Sequence, residues 1–149
     1  MEQKITYQEI RNFAKKKKPD IAFVVEGLFS KIEEVINEKD IQIAYAKNLF
    51  SEDHKKLEIL ILTNKNIIYS IKFIGNDNCF EITAIKIKML EEIVYKSSTH
   101  LLFNELKIKF KNGKEIVLCN ETDFNDNWQS KYYNHIKEIY KLLLDLQGA

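Results

Sequence analysis

Apolar residues recur at steps of three and four over the first forty positions, a spacing that predicts two helices. Thr6 followed by Glu9 matches a capping box, so the first helix begins there and Pro19 ends it. The second helix is capped by Asp20 and ends near Lys39. Its apolar stripe is wide and comprises Ile21, Val24, Val25, Leu28, Phe29, Ile32, Val35 and Ile36.

Between Ile41 and Leu118 the pattern changes to short β-rich runs, which predict about seven strands. The runs are IQIAYA, LEILILT, NIIYSIKFI, CFEITAIKI, EEIVYK, LLFNELKIKF and KEIVL. A long amphipathic helix closes the chain, opened by Asn125 or Asp126, and its apolar face begins at Trp128, which we expect to be buried. The order predicts an α+β domain in which a bent antiparallel sheet, a partly open barrel, is closed by the C-terminal helix.

The stretch KIKFKNGKEIVL, residues 107–118, predicts a hairpin whose register depends on its turn. A two-residue loop would place Lys109 opposite Ile116 and leave neither face apolar, against the two-residue period of a strand. A three-residue loop at 111–113, with Gly113 in the left-handed conformation, places Lys109 opposite Glu115 instead. We therefore predict the three-residue loop.

Composition narrows the classes of function. The chain has 149 residues, 45% of them hydrophobic, and a net charge of +1 with one arginine, so we expect a single globular protein and no nucleic-acid partner. The longest apolar runs are too short to span a bilayer and the first residues lack a signal-peptide core, so we expect a cytoplasmic protein. Cys79 and Cys119 lack CxxC spacing, which favours reduced thiols over a disulfide.

No catalytic motif is apparent. His54, His100 and His135 are scattered without metal-ligand spacing and are interpreted as loop or surface histidines. Asp123 and Asp126 are interpreted as caps of the closing helix. We assign no catalytic, metal or cofactor-binding residue and predict a protein that is not an enzyme, with a small hydrolase of unrecognised site as an alternative.

One turn carries a resemblance to a known family. Residues 62–69, LTNKNIIY, resemble a turn of bacterial pleckstrin-homology-like (PH-like) domains: leucine, threonine, aspartate or asparagine, any residue, arginine, two aliphatic residues and tyrosine. Residues 106–116 are similar to the last hairpin of that family, and Ile93 lies where its fifth strand begins. Asn66 stands where the family has arginine. The layout is also similar to that of a small group of uncharacterised bacterial proteins of about this length.

The resemblance covers roughly residues 41–146 and implies a PH-like domain at 41–149. The N-terminal helical pair, residues 1–40, is then an added element packed on or beside it. Relatives that bind phosphoinositides carry lysines and a terminal arginine on the first hairpin; the matching residues 47–56 lack that arginine and contain two acids. The resemblance therefore implies a binding domain without that family's inositol-phosphate pattern.

The stripe of the second helix is wider than one sheet contact requires, so it either covers the sheet or meets another chain. We predict a binding or assembly module whose partner is a protein or a second copy in a homodimer, with Phe29 and Ile36 on the partner surface. The alternative partner is an anionic membrane surface, contacted by Lys15, Lys16, Lys17 and Lys18. These lysines also suit a helix C-terminus electrostatically.

Overall fold

A computed structural model describes residues 5–75, 77–123 and 128–148 and confirms an α+β fold with seven strands. The helices are α1 (Tyr7–Ala14), α2 (Pro19–Val35), α3 (Asn120–Asp123) and α4 (Gln129–Gln147). The strands are β1 (Ile41–Lys47), β2 (Glu58–Thr63), β3 (Ile67–Ile74), β4 (Cys79–Lys86), β5 (Leu90–Ser97), β6 (Asn104–Phe110) and β7 (Glu115–Cys119). Short 3₁₀ helices occupy Glu38–Asp40, His54–Lys56 and Ile87–Met89.

The strands are hydrogen-bonded as two antiparallel sheets, β1-β2-β3-β4 and β5-β6-β7, and within the described ranges they do not close into a barrel. Contacts divide the chain into two units after Ala84. The first unit, Thr6–Ala84, contains α1, α2 and the strands from β1 into β4; the second contains Ile5 and the described residues from Ile85 to Gly148. The domain boundary predicted at residue 40 stays a prediction.

The first unit begins with the predicted capping box. The Thr6 hydroxyl accepts the Glu9 N–H at 3.1 Å, and the Glu9 carboxylate accepts the Thr6 N–H at 3.3 Å. Asp20 is not the cap of α2: Lys18 is the N-cap and Pro19 the first helical residue, because proline has no N–H to satisfy and its φ already suits a helix. The helix ends at Val35 rather than near Lys39.

The second unit packs α4 against β5, β6 and β7. The predicted caps Asn125 and Asp126 lie outside the described residues. Trp128 is the N-cap of α4 and is only half-buried, so the prediction of its burial is wrong. Four residues of the predicted apolar face are buried: Tyr132, Ile136, Ile139 and Leu143.

The three-residue hairpin loop between β6 and β7 is confirmed. Lys109 pairs with Glu115, and the Phe110 N–H donates to the Lys114 carbonyl at 2.9 Å. Gly113 has φ +89°, the left-handed conformation that the register requires. This loop keeps Leu106, Ile108 and Phe110 on one buried side of β6, where each is at most 2% exposed.

Left-handed backbone elsewhere falls on asparagine. Asn48, Asn66 and Asn78 have φ of +61°, +59° and +56°, and they are the only non-glycine residues with positive φ in the described ranges. Asparagine tolerates this conformation better than other residues with a side chain. Asn66, at the position of the PH-like arginine, thus has a conformational role in the turn between β2 and β3.

We expect Gly113→Val to lower the free energy of unfolding by about 1–2 kcal/mol, because valine at this φ meets the left-handed steric penalty. The penalty is purely conformational, since an added Cβ would have no atom within 4 Å. Asn112→Ala is the matched control and should cost less, because the bond from the Lys114 N–H to Asn112 Oδ1 is exposed and water can replace it. Urea midpoints measure both variants, and equal small losses would contradict the bulge.

Candidate functional site

Most of the apolar stripe of α2 faces inward, although Val35 is 64% exposed. Phe29 is 0% exposed and Ile36 is 3% exposed, and the Tyr7 ring meets Phe29 edge-on at 5.7 Å. Both predicted partner-surface residues are therefore inaccessible, and the prediction is wrong for them. The reason is that these residues of α2 cover the core of their own unit. This is the first of the two alternatives given above, in which the helix packs on its own fold rather than on another chain.

The opposite face of α2 carries an aromatic residue that the stripe does not include. This residue is Phe23, and 80% of its surface is exposed although the other face of the 17-residue helix is packed. It lines an open groove of 840 Å³, together with Phe73 of β3 and Phe80 of β4. We call this feature the α2 groove; its lining also includes Pro19, Ala22, Val24, Glu26, Gly27, Leu28, Ser30, Lys31 and Asn78.

Gly27 lies on the exposed face of α2, one turn after Phe23. An added Cβ there would have no atom within 4 Å, so the fold of the unit does not require glycine. Glycine inside a helix costs about 1 kcal/mol relative to alanine. The unit's own packing leaves this cost unexplained.

Polar groups border the α2 groove at two places. Glu26 Oε1 is buried without a hydrogen-bond donor among the described residues and lies 3.9 Å from the Lys15 ammonium. At the other side, His54 Nε2 lies 2.9 Å from Asn78 Oδ1, and the His54 ring packs edge-on against Phe73 at 5.4 Å. The groove thus combines apolar walls with a few polar groups, the usual character of a binding surface.

A second cavity lies between the α1–α2 connection and the β1–β2 connection. It measures 210 Å³ and is lined by Lys16, Lys17, Lys18, Phe13, Ile21, Phe50, Ser51 and Glu52. We call it the lysine cavity. It contains three of the four lysines predicted to contact an anionic surface, whereas Lys15 lies beside Glu26.

Lys17 is the most enclosed lysine of this cavity. Its Nζ donates to the Ser51 carbonyl at 3.2 Å and lies 5.9 Å from the centre of the Phe13 ring. Burial lowers its pKa from the ordinary value. Within the described ranges no carboxylate oxygen lies within 4.0 Å of the Lys16, Lys17 or Lys18 ammonium.

A carboxylate shared by two donors holds α1 against α2 and so positions the loop that bears these lysines. Glu33 Oε2 of α2 accepts the Tyr7 hydroxyl at 3.0 Å and pairs with the Arg11 guanidinium. Burial, followed by the hydrogen bond and charge of Glu33, raises the pKa of Tyr7 well above its usual range. The phenol therefore stays neutral while it donates to Glu33.

The second unit has a buried polar cluster that sequence patterns did not indicate. Asn120 Oδ1 accepts the Asn104 N–H at 2.9 Å, and the Asn104 amide donates to the Tyr95 hydroxyl and the Tyr133 carbonyl at 3.1 and 2.9 Å. Asp123 accepts the Cys119 N–H at 3.2 Å, at the start of α3, and its predicted capping of the closing helix stays a prediction. These contacts tie strand ends and helix to one another, a structural role.

The three histidines have three different environments. His54 is half-buried beside Asn78, and His100 is exposed. His135 is 0% exposed on α4, where its Nδ1 accepts the Ile5 N–H at 3.3 Å, so its interpretation as a loop or surface histidine is wrong. Residues 5–75, 77–123 and 128–148 contain no group of three or more His, Cys, Asp or Glu that could hold a metal ion. Over the same ranges, no helix has the length and apolar character needed to cross a membrane.

The sequence prediction missed the residues that line the α2 groove, above all Phe23, Gly27, Phe73 and Phe80. For Phe23 a signal existed: an aromatic residue on the polar side of an amphipathic helix departs from the expected pattern. Phe73 and Phe80 belong to different strands, and no local spacing indicates that they meet beside a helix. The lysine cavity was anticipated through its charges but not through its aromatic walls.

Comparison with known proteins gives one match. The model of a family described as a protein of unknown function (DUF3908) matches residues 6–134. No curated protein and no solved structure matches the chain.

We expect Tyr7→Phe to reduce the loss of stability in alkaline solution. A raised folded-state pKa stabilises the protein below the unfolded value of about 10, and this contribution is lost as the pH rises toward the folded value. Between the two values one such tyrosine contributes a slope of about −1.4 kcal/mol per pH unit. Urea unfolding of wild type and variant from pH 8 to pH 11 measures the difference. Tyr69→Phe, on β3, is the control, and equal slopes for wild type and Tyr7→Phe would contradict the Glu33 assignment.

Proposed function

We propose that this chain, which belongs to the DUF3908 family, is a non-enzymatic binding module that assembles with a second copy of itself through the outer face of α2. The observation that carries the proposal is Phe23, 80% exposed at the edge of the α2 groove. A phenylalanine in water forgoes about 2 kcal/mol or more of burial energy. A partner that covers Phe23 recovers that energy.

The outer face of α2 has both a protruding residue and a recess, which a symmetric contact requires. In a two-fold dimer the same patch meets itself, so a protruding residue of one copy must fit a recess of the other. Phe23 protrudes, and Gly27 lies one turn away beside the groove. An antiparallel pair of α2 helices with Phe23 against Gly27 of the second copy places each aromatic ring in the opposite groove.

Charge favours the antiparallel arrangement. Asp20 lies in the first turn of α2, and Lys31 lies on the same face three turns later, where it forms an exposed pair with Glu34 at 3.2 Å. With Phe23 against Gly27 of the second copy, the register places Asp20 near Ser30 and Lys31 of that copy. Opposite charges then meet at both ends of the contact, and the antiparallel helix dipoles attract.

Gly27 supports the same arrangement. Its helix-propensity cost has no explanation within the unit, whereas the close approach of a second helix requires a residue without a side chain. The order of seven strands followed by α4 supports the further proposal that residues 41–149 have the PH-like layout. On that proposal α1 and α2 are the added element, and assembly is its role.

We expect wild-type protein to be a dimer at high concentration and Phe23→Ser to be a folded monomer. Loss of a central aromatic anchor should weaken the dimer by about thirtyfold or more, or about 2 kcal/mol. Val35→Ser is the matched control, because Val35 is 64% exposed on the same helix but does not line the groove. Size-exclusion chromatography with light scattering gives the mass, and circular dichroism confirms the fold.

Two results would overturn self-assembly. If wild type is monomeric at every concentration reached, the second copy is not the occupant of the groove, and another protein becomes the hypothesis. If Val35→Ser dissociates the dimer as strongly as Phe23→Ser, the contact is not centred on the groove.

We expect Gly27→Ala to have opposite effects on folding and on assembly. In the monomeric Phe23→Ser background, alanine should raise the free energy of unfolding by about 0.5–1 kcal/mol, because it is the better helix former. In the otherwise wild-type chain, the added methyl group should weaken dimerisation by separating the helices. Urea unfolding measures the first effect and light scattering across a dilution series the second. Unchanged dimerisation would rule out the close approach.

A further inference from the structure

The lysine cavity concentrates positive charge in a partly open recess of the first unit, where Lys17 is half-buried and Lys16 and Lys18 are exposed. Lys16, Lys17 and Lys18 line it and Glu52 is its one acidic lining residue, so the lining carries a formal charge of +2. None of the three lysines has a carboxylate partner in the described part of the chain. Lysines that only keep a surface hydrated have no reason to line a recess, whereas these three line one together.

The environment of the Lys17 ammonium favours a bound anion. Its ammonium is partly desolvated and its only hydrogen bond within the described ranges goes to a neutral carbonyl, that of Ser51. Partial burial of a cation without an opposite charge is costly, and the cost is removed when an anion binds within about 4–6 Å. The lowered pKa of Lys17 reflects the same partial burial.

Three of the other five lining residues are apolar. Phe13 and Phe50 meet edge-to-face at 4.7 Å, and Ile21 lies beside them. A ligand that fits must therefore combine a compact anionic group, which reaches the ammonium groups, with an aromatic or aliphatic portion against the two rings. Phosphate is the anion that suits several lysines best, because it carries up to two negative charges and accepts several hydrogen bonds.

We propose that the lysine cavity is a binding site for a phosphate monoester carried on an apolar group. The site goes beyond the proposed assembly function and shares no lining residue with the α2 groove. Its lysines come from the α1–α2 connection, which lies outside the PH-like stretch. The phosphate belongs either to a soluble ester or to the head group of a membrane lipid.

The soluble arm of the test uses phenyl phosphate as the probe. Titration into ¹⁵N-labelled protein should shift the backbone amides of residues 13, 16–18, 21 and 50–52, and inorganic phosphate and phenol should each bind at least about tenfold more weakly. Lys17→Met should weaken phenyl phosphate binding at least about tenfold while it retains the apolar stem. Lys65→Met, which removes a 69% exposed lysine outside the cavity, should leave binding unchanged.

A proton measurement adds an independent readout. Because a bound phosphate restores the pKa of Lys17, binding at alkaline pH should take up protons, and the calorimetric enthalpy should depend on the buffer's ionisation enthalpy. Lys17→Met should abolish that uptake. A structural lysine without a ligand would give no uptake in either protein.

The membrane arm uses sedimentation with phosphatidylcholine vesicles, with and without phosphatidic acid. Binding that requires phosphatidic acid and is lost in Lys17→Met assigns the phosphate to a lipid, whereas phenyl phosphate binding without vesicle binding assigns it to a soluble ester. The proposal is overturned if neither probe shifts the cavity amides. It is also overturned if inorganic phosphate matches phenyl phosphate, or if Lys65→Met weakens binding as much as Lys17→Met does. Both arms are repeated with Phe23→Ser, which we expect to be monomeric. Unchanged phosphate binding in this variant separates the cavity from the assembly proposal.

Discussion

The carboxylate of Glu33 is the contact on which the arrangement of the two helices of the first unit depends. It accepts from Tyr7 and pairs with Arg11, both on α1, while Glu33 itself belongs to α2. A buried ion pair adds little net stability, but in some proteins it fixes which arrangement of two elements is adopted, and removal of one partner is strongly destabilising. With α1 fixed in this register, the connection between the helices must place Lys16, Lys17 and Lys18 beside Phe50. The same register turns most of the apolar stripe of α2 inward and leaves Phe23 outside.

Local signals predicted local structure well. The Thr6 capping box and the loop at Gly113 each depend on residues at most a few positions apart, so the chain specifies them without tertiary information. The direction of the α2 stripe is different, because periodicity identifies an apolar face but not the surface that it covers. Periodicity alone therefore predicts a partner surface at Phe29 and Ile36, whereas the fold of their own unit buries both side chains.

Contacts between residues that are far apart in the chain could not be predicted from the sequence. Asn104 and Asn120 become intelligible only when β6 and α3 are adjacent, and His135 only when Ile5 donates to it. The lysine cavity lies between these extremes: its charges form a contiguous run, but Phe13 and Phe50 are 37 positions apart and meet only in the folded unit. A charge run alone therefore could not distinguish a solvated loop from a recess.

The three left-handed asparagines have a consequence at the level of the gene. Turns that need positive φ usually take glycine, and every glycine codon begins with two guanines, whereas asparagine is encoded by AAU or AAC. By using Asn48, Asn66 and Asn78 at such positions, a chain with only four glycines forms its turns with few guanines in the message. Asparagine also restricts the unfolded chain more than glycine does, so each of these turns costs less entropy to form. Asparagine at these three turns thus combines left-handed backbone with a smaller loss of chain entropy.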